Sequence, residues 1–369
     1  MTNPSPNPNT SNTNNNASEA FQHLVVNAAN QSPTQVGSSS ASATHSIMEH
    51  VLFELKRVIV GQDHLLERLL VAILARGHVL LEGLPGLAKT LTVKSLAQVV
   101  GGTFGRVQFT PDLVPADLIG TRIYNGRTGE FLTEPGPVFV NMLLADEINR
   151  APAKVQSALL EVMQEHQVTI GKQTFPVPHP FFVLATQNPI ESDGTYPLPE
   201  AQLDRFLFKV KVDYPAYEDE LIIIERATSP TRPLLTLMSP AQIVSSQRIV
   251  DQVYVDPRVA AYAATLVTAT RDPEEHGLKR YKDAILFGGS PRASINLVLA
   301  GRALAFIRGR KYVLPKDIAD LAPDVLRHRL VMSYDAIADG ITSDQIVQDL
   351  LVKYPTPKLE LGESDIPKV

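Results

Sequence analysis

The segment at residues 83–90, Gly-Leu-Pro-Gly-Leu-Ala-Lys-Thr, constrains the possible fold more than any other part of the chain. It follows a short apolar run at residues 78–81, typical of a buried strand, and precedes a helical pattern at residues 90–100. Such a turn directs backbone amides and the positive end of a helix dipole at one point, which suits a polyphosphate. Lys89 is then placed to contact the β- and γ-phosphates, and the Thr90 hydroxyl to bind magnesium. The alternative interpretation is an ordinary strand-to-helix turn that binds no ligand.

One position departs from the usual glycine-rich loop, because the residue before the lysine is Ala88 rather than glycine. A positive φ angle at this position would cost an alanine about 1 kcal/mol relative to glycine. The sequence therefore predicts that Ala88 has already entered the right-handed helical region.

Two further apolar runs, residues 138–145 and 181–186, have the length and continuity of strands buried on both faces of a parallel sheet. The first leads into Asp146 and Glu147, and the second into Asn188. Because the carboxyl ends of parallel strands lie at one edge of a sheet, we expect these side chains beside the phosphate-binding turn. Asp146 is predicted to lie beside magnesium, Glu147 to act as general base and Asn188 to hold the attacking water. Without that turn, Asp146 and Glu147 would be interpreted as residues that cap a helix, and Asn188 as a turn residue before proline.

The pattern divides the chain into three regions. Residues 1–45 contain mainly Asn, Ser, Thr, Pro and Ala, which predicts a disordered tail because little apolar surface is available for burial. Residues 46–230 alternate strand and helix patterns and predict an α/β core. Residues 231–369 are predicted to form a smaller helical domain. Its helices often begin at proline, which is favoured at the first helical position; they are predicted at residues 240–253, 257–270, 291–308 and 315–328.

Composition excludes several classes of protein. The chain has no cysteine, so disulfide scaffolds, Cys-ligated zinc, iron–sulfur clusters and thiol nucleophiles are excluded, and a cytoplasmic location is expected. Lys plus Arg total 34 against 39 for Asp plus Glu, a formal charge of −5, which disfavours a nucleic-acid partner. No apolar stretch reaches the roughly 20 residues that span a bilayer, so no membrane span is predicted. The histidines form no ligand-spaced cluster, and no zinc site is predicted.

The order of these motifs resembles that of an AAA+ ATPase module. The residues within the motifs resemble those of the MoxR family. The resemblance covers residues 47–355 and rests on Glu82 to Thr90, on Ala-Asp-Glu-Ile-Asn-Arg at 145–150 and on Ala-Thr-Gln-Asn-Pro at 185–189. It implies an AAA+ P-loop NTPase core, with a parallel sheet between helices, and a C-terminal helical lid domain. An alanine at position 88 is usual in that family. The implied nucleotide-binding residues are Val60, Gly61, Gln62, Gly83, Pro85, Gly86, Leu87, Ala88, Lys89, Thr90 and Leu91.

The resemblance also implies roles for single polar residues. Asn188 would be the first sensor and Arg292, in the helical domain, the second, whose contact with phosphate would link the nucleotide state to the lid angle. Arg205, in the motif Asp-Arg-Phe, would be the arginine finger that acts on the nucleotide of a neighbouring subunit, and Arg150 is a second candidate for such a contact. Arginine suits these roles because it is permanently charged and donates two parallel hydrogen bonds. The alternative for each arginine is a surface salt bridge of little energetic weight.

The implied activity is magnesium-dependent hydrolysis of ATP by a homo-oligomeric ring, expected to be a hexamer. By the same resemblance the ring would be a chaperone-like remodeller of a protein substrate, with a von Willebrand factor A domain protein as partner. The alternatives are a motor of the metal-chelatase or DNA-directed kind, or a nucleotide-gated scaffold with negligible turnover.

Two inserted segments complete the resemblance. Residues 109–120, with the following stretch to residue 133 and its Asn125-Gly126 turn, resemble the helix-2 insert of this clade of AAA+ proteins. Residues 167–180, with Gly171 at the tip, resemble the hairpin before the first sensor. In related rings such loops point toward the pore or the substrate; the alternative is a rigid surface loop.

Overall fold

The computed structural model describes residues 39–84, 86–188, 195–229 and 233–359, with side chains from residue 47. Most of the predicted N-terminal tail lies outside the described residues, although the first helix already begins at Ser39, inside that segment. The strands are β1 Val79–Gly83, β2 Phe104–Gln108, β3 Gly120–Asn125, β4 Glu130–Pro135, β5 Met142–Asp146, β6 Gln167–Ile170, β7 Gln173–Pro176, β8 Phe182–Gln187, β9 Phe208–Val212, β10 Ile285–Phe287 and β11 Val331–Met332.

The helices alternate with the strands up to β9 and then predominate. They are α1 Ser39–Lys56, α2 Asp63–Leu74, α3 Lys89–Val99, α4 Pro115–Ile119, α5 Ala153–Glu165, α6 Glu200–Leu203, α7 Tyr217–Thr228, α8 Pro240–Asp251, α9 Pro257–Ala269, α10 Pro291–Ile307, α11 Pro315–Leu326, α12 Tyr334–Ala338 and α13 Ser343–Lys353. In the part of the chain that the structure describes, no helix is long and apolar enough to cross a membrane.

A five-stranded sheet in the order β2-β5-β8-β1-β9 forms the core, and every neighbouring pair in it is parallel. Alternate residues of β1 contribute to two different hydrophobic clusters, with Val79 and Leu81 in one and Leu80 in the other. The first cluster includes residues of α1, α2, α3 and the helical domain, and the second includes residues of α4 and α5. The sheet therefore lies between helices, as the fold class predicts, and its strands end at one common edge.

The predicted strand at residues 138–145 is shorter than expected, because β5 begins only at Met142. Val138 is fully buried, but it packs in a turn rather than in the sheet. Asn141 ends this turn: its side-chain oxygen accepts a hydrogen bond from the Thr103 amide at 3.1 Å, and its amide donates to the Pro180 carbonyl at 3.0 Å. Burial of an apolar run therefore did not indicate strand structure here.

Both inserted segments contain β-hairpins. In the first, β3 pairs with β4, and Tyr124 and Phe131 are opposed in register and more than half exposed. In the second, β6 pairs with β7. These hairpins have the positions that the sequence predicts, while the sequence-based expectation that they contact substrate stays a prediction.

The helical domain contacts the α/β core at the β9 edge of the sheet. There α10 packs against α2, and α11 packs against β9. A buried ion pair joins the two parts, since the Arg68 Nε on α2 lies 2.7 Å from the Asp324 Oδ2 on α11. This docking places the helical domain beside the edge strand β9, on the opposite side of the sheet from the other edge strand, β2.

Candidate active site

A cleft of about 470 Å³ opens where the sheet strands end. It brings together the turn after β1, the last residues of β5 and the end of β8, as predicted for the carboxyl edge of a parallel sheet. The residues that line it are Gly86, Leu87, Ala88, Lys89, Thr90, Leu91, Arg106, Gln108, Asp146, Glu147, Thr186 and Asn188.

The described residues of the turn after β1 have two features that a phosphate-binding turn needs, an open glycine backbone and a lysine. Gly86 has a φ of +86°, and no atom lies within 4 Å of the position that a Cβ would take there, so the backbone is open to the cleft. The Lys89 ammonium donates a hydrogen bond to the Gly83 carbonyl at 2.5 Å. Burial lowers the pKa of Lys89, while the nearby charges of Asp146 and Glu147 act to raise it. The lysine is thus held at the turn, close to both carboxylates.

The prediction for Ala88 is wrong. Its φ and ψ are 54° and 20°, which is the left-handed region, and not the right-handed helical region. The residue is the cap before α3, so the chain must turn here before the helix begins. A left-handed alanine costs about 1 kcal/mol or slightly more relative to glycine. The loop therefore keeps the conformation of a glycine-rich turn without the glycine.

Both oxygens of Asp146 are engaged. One accepts a hydrogen bond from the Thr186 hydroxyl at 2.7 Å, and the other lies 2.7 Å from the Arg106 guanidinium on β2. The Thr186 hydroxyl also accepts a hydrogen bond from the Glu147 amide at 2.9 Å. Thr186 on β8 therefore fixes the end of β5 through both acidic residues.

Glu147 adopts a strained backbone conformation, with φ 57° and ψ 50°. Its Oε2 accepts a hydrogen bond from the Gln108 amide at 2.9 Å and lies 2.9 Å from the Arg150 Nε. Non-glycine residues in this region cost energy and cluster at functional sites. Arg150, a candidate for contact with a neighbouring subunit, pairs here with Glu147 of its own chain.

The cleft residues fit a magnesium ion with a bound nucleotide. Magnesium prefers oxygen ligands and is usually held by one or two carboxylates together with phosphate oxygens. The Thr90 hydroxyl and the Asp146 carboxylate both line the cleft beside Lys89. These two side chains could hold the ion, as the sequence predicts.

Other predicted nucleotide-binding residues lie at different places. Val60, Gly61 and Gln62 connect α1 with α2, and they are absent from the cleft lining that the structure describes. A Cβ at Gly61 would lie 2.6 Å from the Asp219 carboxylate of α7. The predicted binding residue Pro85 lies outside the described residues.

Arg205 and Arg292 lie together in a second cleft, which we call the arginine cleft. It is also lined by Asp204, by residues 75–78 before β1 and by Leu207 before β9. The arginine cleft therefore lies at the amino edge of the sheet, whereas the phosphate turn follows the carboxyl end of β1. A five-residue strand is about 16 Å long. The structure thus separates Arg292 from the phosphate turn of its own chain and does not form the expected link within one chain.

Two family models match the chain. The description "ATPase family associated with various cellular activities (AAA)" matches residues 78–208, and "AAA lid domain" matches residues 278–350. "Chaperone MoxR1" of Mycobacterium tuberculosis is 53% identical over 331 residues, which are 90% of this chain and 88% of that protein. The chain belongs to the MoxR family of AAA+ ATPases.

Other relatives agree with this assignment. "Protein MoxR" of Paracoccus denitrificans is 34% identical over 318 residues, which are 80% of this chain and 91% of that protein. A solved structure of a candidate ATPase from Cytophaga hutchinsonii has a TM-score of 0.82 and 47% sequence identity, and covers 87% of this chain and 98% of that one. The fold class inferred from the motifs is therefore confirmed.

Three polar residues of this MoxR-family cleft were not predicted. Arg106 and Gln108 lie on β2, and Thr186 lies on β8. The two β2 residues alternate along the strand and therefore share a face, which is a signal that the sequence does carry. These two residues reach the cleft only because β2 lies next to β5, with Gln108 opposite Asp146. This strand pairing cannot be predicted from the sequence.

Proposed function

We propose that this chain hydrolyses ATP in the cleft, with magnesium as cofactor. The observation that carries the proposal is the convergence of Lys89, Asp146, Glu147 and Asn188 around one glycine-bearing turn. AAA-family membership and the open glycine backbone of the turn both support nucleotide binding. A lone structural turn would not need two carboxylates and a lysine at the same place.

Each residue has a role that follows from its position. Lys89 would contact the β- and γ-phosphates, and Thr90 and Asp146 would hold magnesium, which neutralises phosphate charge when bound. Glu147 would accept a proton from the attacking water, and Asn188 would orient that water. To act as a base, Glu147 must loosen its contacts with Gln108 and Arg150.

The two arginines would act between subunits. Arg205 and Arg292 line the arginine cleft at the amino ends of the strands, whereas the phosphate turn lies at the carboxyl ends. A neighbouring chain's nucleotide is therefore a more accessible target for them than the nucleotide of their own chain. Their permanent charge would stabilise the charge that develops on the γ-phosphate. We therefore propose a homo-oligomeric ring, with six subunits as the expected number.

The ring is proposed to remodel protein complexes in the manner of a chaperone. Support comes from the name of the relative "Chaperone MoxR1". A protein with a von Willebrand factor A domain is proposed as its partner, because the family resemblance implies one. The exposed rings of Tyr124 and Phe131 on the first hairpin would be available to a protein substrate.

Two substitutions separate nucleotide binding from hydrolysis. Lys89→Ala should weaken ATP binding at least about 100-fold, because the phosphates lose a direct charge partner. Glu147→Gln should bind ATP normally but lower kcat by about 100-fold or more, because the amide cannot accept the proton. Binding is measured with a fluorescent nucleotide, and hydrolysis by phosphate release. Glu130→Gln, on an exposed hairpin position, is the matched control. Wild-type turnover by Glu147→Gln would contradict the proposed reaction.

A further inference from the structure

The backbone around Arg205 is held by one buried side chain of the helical domain. The Arg329 side chain is 1% exposed, and its Nε donates a hydrogen bond to the Asp204 Oδ1 at 2.7 Å. The same guanidinium donates to the carbonyls of Asp204 at 3.1 Å, Phe206 at 2.5 Å and Leu207 at 3.3 Å. Arg329 therefore fixes the chain on both sides of Arg205.

The other oxygen of Asp204 contacts the start of α10. The Ser290 hydroxyl donates a hydrogen bond to the Asp204 Oδ2 at 2.9 Å and accepts one from the Arg292 amide at 3.2 Å, which caps the helix. The Arg292 guanidinium lies 3.9 Å from the same Oδ2. One carboxylate thus connects the turn that carries Arg205 with the helix end that carries Arg292.

The two arginines have few other restraints. The Arg205 guanidinium donates to the Leu160 carbonyl at 3.0 Å, and the Arg292 side chain is 53% exposed. Their relative position therefore depends on the backbones from which they extend. Because hydrogen bonds to a charged group are stronger than those between neutral groups, the Asp204 contacts are well suited to keep those backbones in register.

We propose that Asp204, Ser290 and Arg329 are positioning residues that join Arg205 and Arg292 into one unit, so that both arginines reach the same γ-phosphate of a neighbouring chain. This inference rests on the proposed function of the two arginines. A displacement of about 1 Å can lower a reaction rate 100-fold, so a loss of this register affects kcat even when the fold is intact.

The test compares two helix caps of the helical domain. Ser290→Ala removes the cap of α10 and the contact with Asp204. Ser239→Ala removes a similar cap of α8, because the Ser239 hydroxyl accepts a hydrogen bond from the Gln242 backbone amide at 3.3 Å. No hydrogen bond of the described residues joins Ser239 to Asp204. Both variants should lower the Tm by a similar amount. Only Ser290→Ala should lower kcat, by about 10-fold, with little change in the KM for ATP. Ser290→Thr, which keeps the hydroxyl, should restore kcat.

A second variant separates positioning from folding. Glycine is a good helix cap, so Ser290→Gly should keep the helix end while removing the contact with Asp204, and it should lower kcat as Ser290→Ala does. In an Arg292→Ala background, Ser290→Gly should have little further effect. A kcat equal to that of Ser239→Ala for both Ser290 variants would overturn the positioning role. Wild-type kcat for Arg205→Ala and for Arg292→Ala would instead contradict the proposed function of the arginines.

Discussion

Ala88 and Glu147 both have left-handed backbone conformations. Both line the first cleft, the proposed site of ATP hydrolysis, which we call the nucleotide cleft. For a residue with a Cβ this conformation costs about 1–2 kcal/mol, and the surrounding structure must provide that energy. At Glu147 the cost accompanies the hydrogen bond from its amide to Thr186, which directs the side chain toward Gln108. At Ala88 the turn needs only the backbone shape. The two residues therefore carry similar strain for different reasons.

Ala88→Gly should stabilise the protein by about 1 kcal/mol, because glycine adopts the left-handed region without steric cost. Nucleotide binding should be retained, since the backbone shape of the turn does not change. The measurement is the urea midpoint of unfolding, together with nucleotide affinity. Ala261→Gly, at an exposed interior position of α9, is the matched control and should destabilise by about 1 kcal/mol. Destabilisation of similar size by both substitutions would show that Ala88 is not strained.

At the scale of elements, His78 joins β1 to β8 and to α5. Its Nδ1 accepts a hydrogen bond from the Val183 amide at 3.1 Å, so its Nε2, at 3.1 Å from the Met163 carbonyl, is the donor. Burial lowers the pKa of His78 to about 4; the Met163 carbonyl acts to raise it, and the neighbouring His166 lowers it. The neutral ring is therefore the form that the folded protein holds.

This contact predicts a loss of stability in mild acid. The unfolded chain binds a proton at His78 near pH 6.5, but the folded protein binds it only near pH 4. The contribution of neutral His78 to the free energy of unfolding is therefore complete above about pH 6.5. It decreases as the pH falls toward 4, by about 1.4 kcal/mol per pH unit and about 3 kcal/mol in total. His78→Asn should flatten the plot of unfolding free energy against pH between 6 and 4.5 by about one proton. An unchanged slope would contradict this assignment.

Local signals explain why many elements could be predicted from the sequence. The helices beginning at Pro240, Pro257, Pro291 and Pro315 start where they were predicted, because proline at the first helical position is a local feature. Long-range packing explains what could not be predicted. The arginine cleft depends on where the helical domain docks, and that docking uses contacts such as Arg68 with Asp324, which are 256 residues apart.

The same distinction applies within the nucleotide cleft. Lys89, Asp146 and Glu147 were predicted because each follows directly from a motif at a strand end. Arg106 contacts Asp146 only because β2 lies beside β5, and strand order is a property of the whole sheet. The conformation of Ala88 was also missed, since the steric cost of a left-handed alanine was outweighed by the geometry of the turn.

At the scale of the whole molecule, the nucleotide cleft and the arginine cleft lie at opposite edges of the sheet. A contact that places the arginine cleft of one chain on the nucleotide cleft of the next is a head-to-tail contact, and repetition of it gives a ring if the rotation closes. Each chain would then contribute half of two active sites. Hydrolysis should therefore depend on assembly rather than on the fold of one chain.

Mixing two inactive variants tests this dependence directly. Glu147→Gln chains have an inactive cleft and an intact Arg205, whereas Arg205→Ala chains have an intact cleft and no finger. If Arg205 acts on the neighbour, an equal mixture should hydrolyse ATP at about a quarter of the wild-type rate, because half of the clefts are intact and half of their neighbours carry the arginine. A chain with both substitutions, mixed with Arg205→Ala chains, supplies neither group and should restore no phosphate release. If Arg205 acts within its own chain, neither mixture regains activity, because no single chain then has both Glu147 and Arg205.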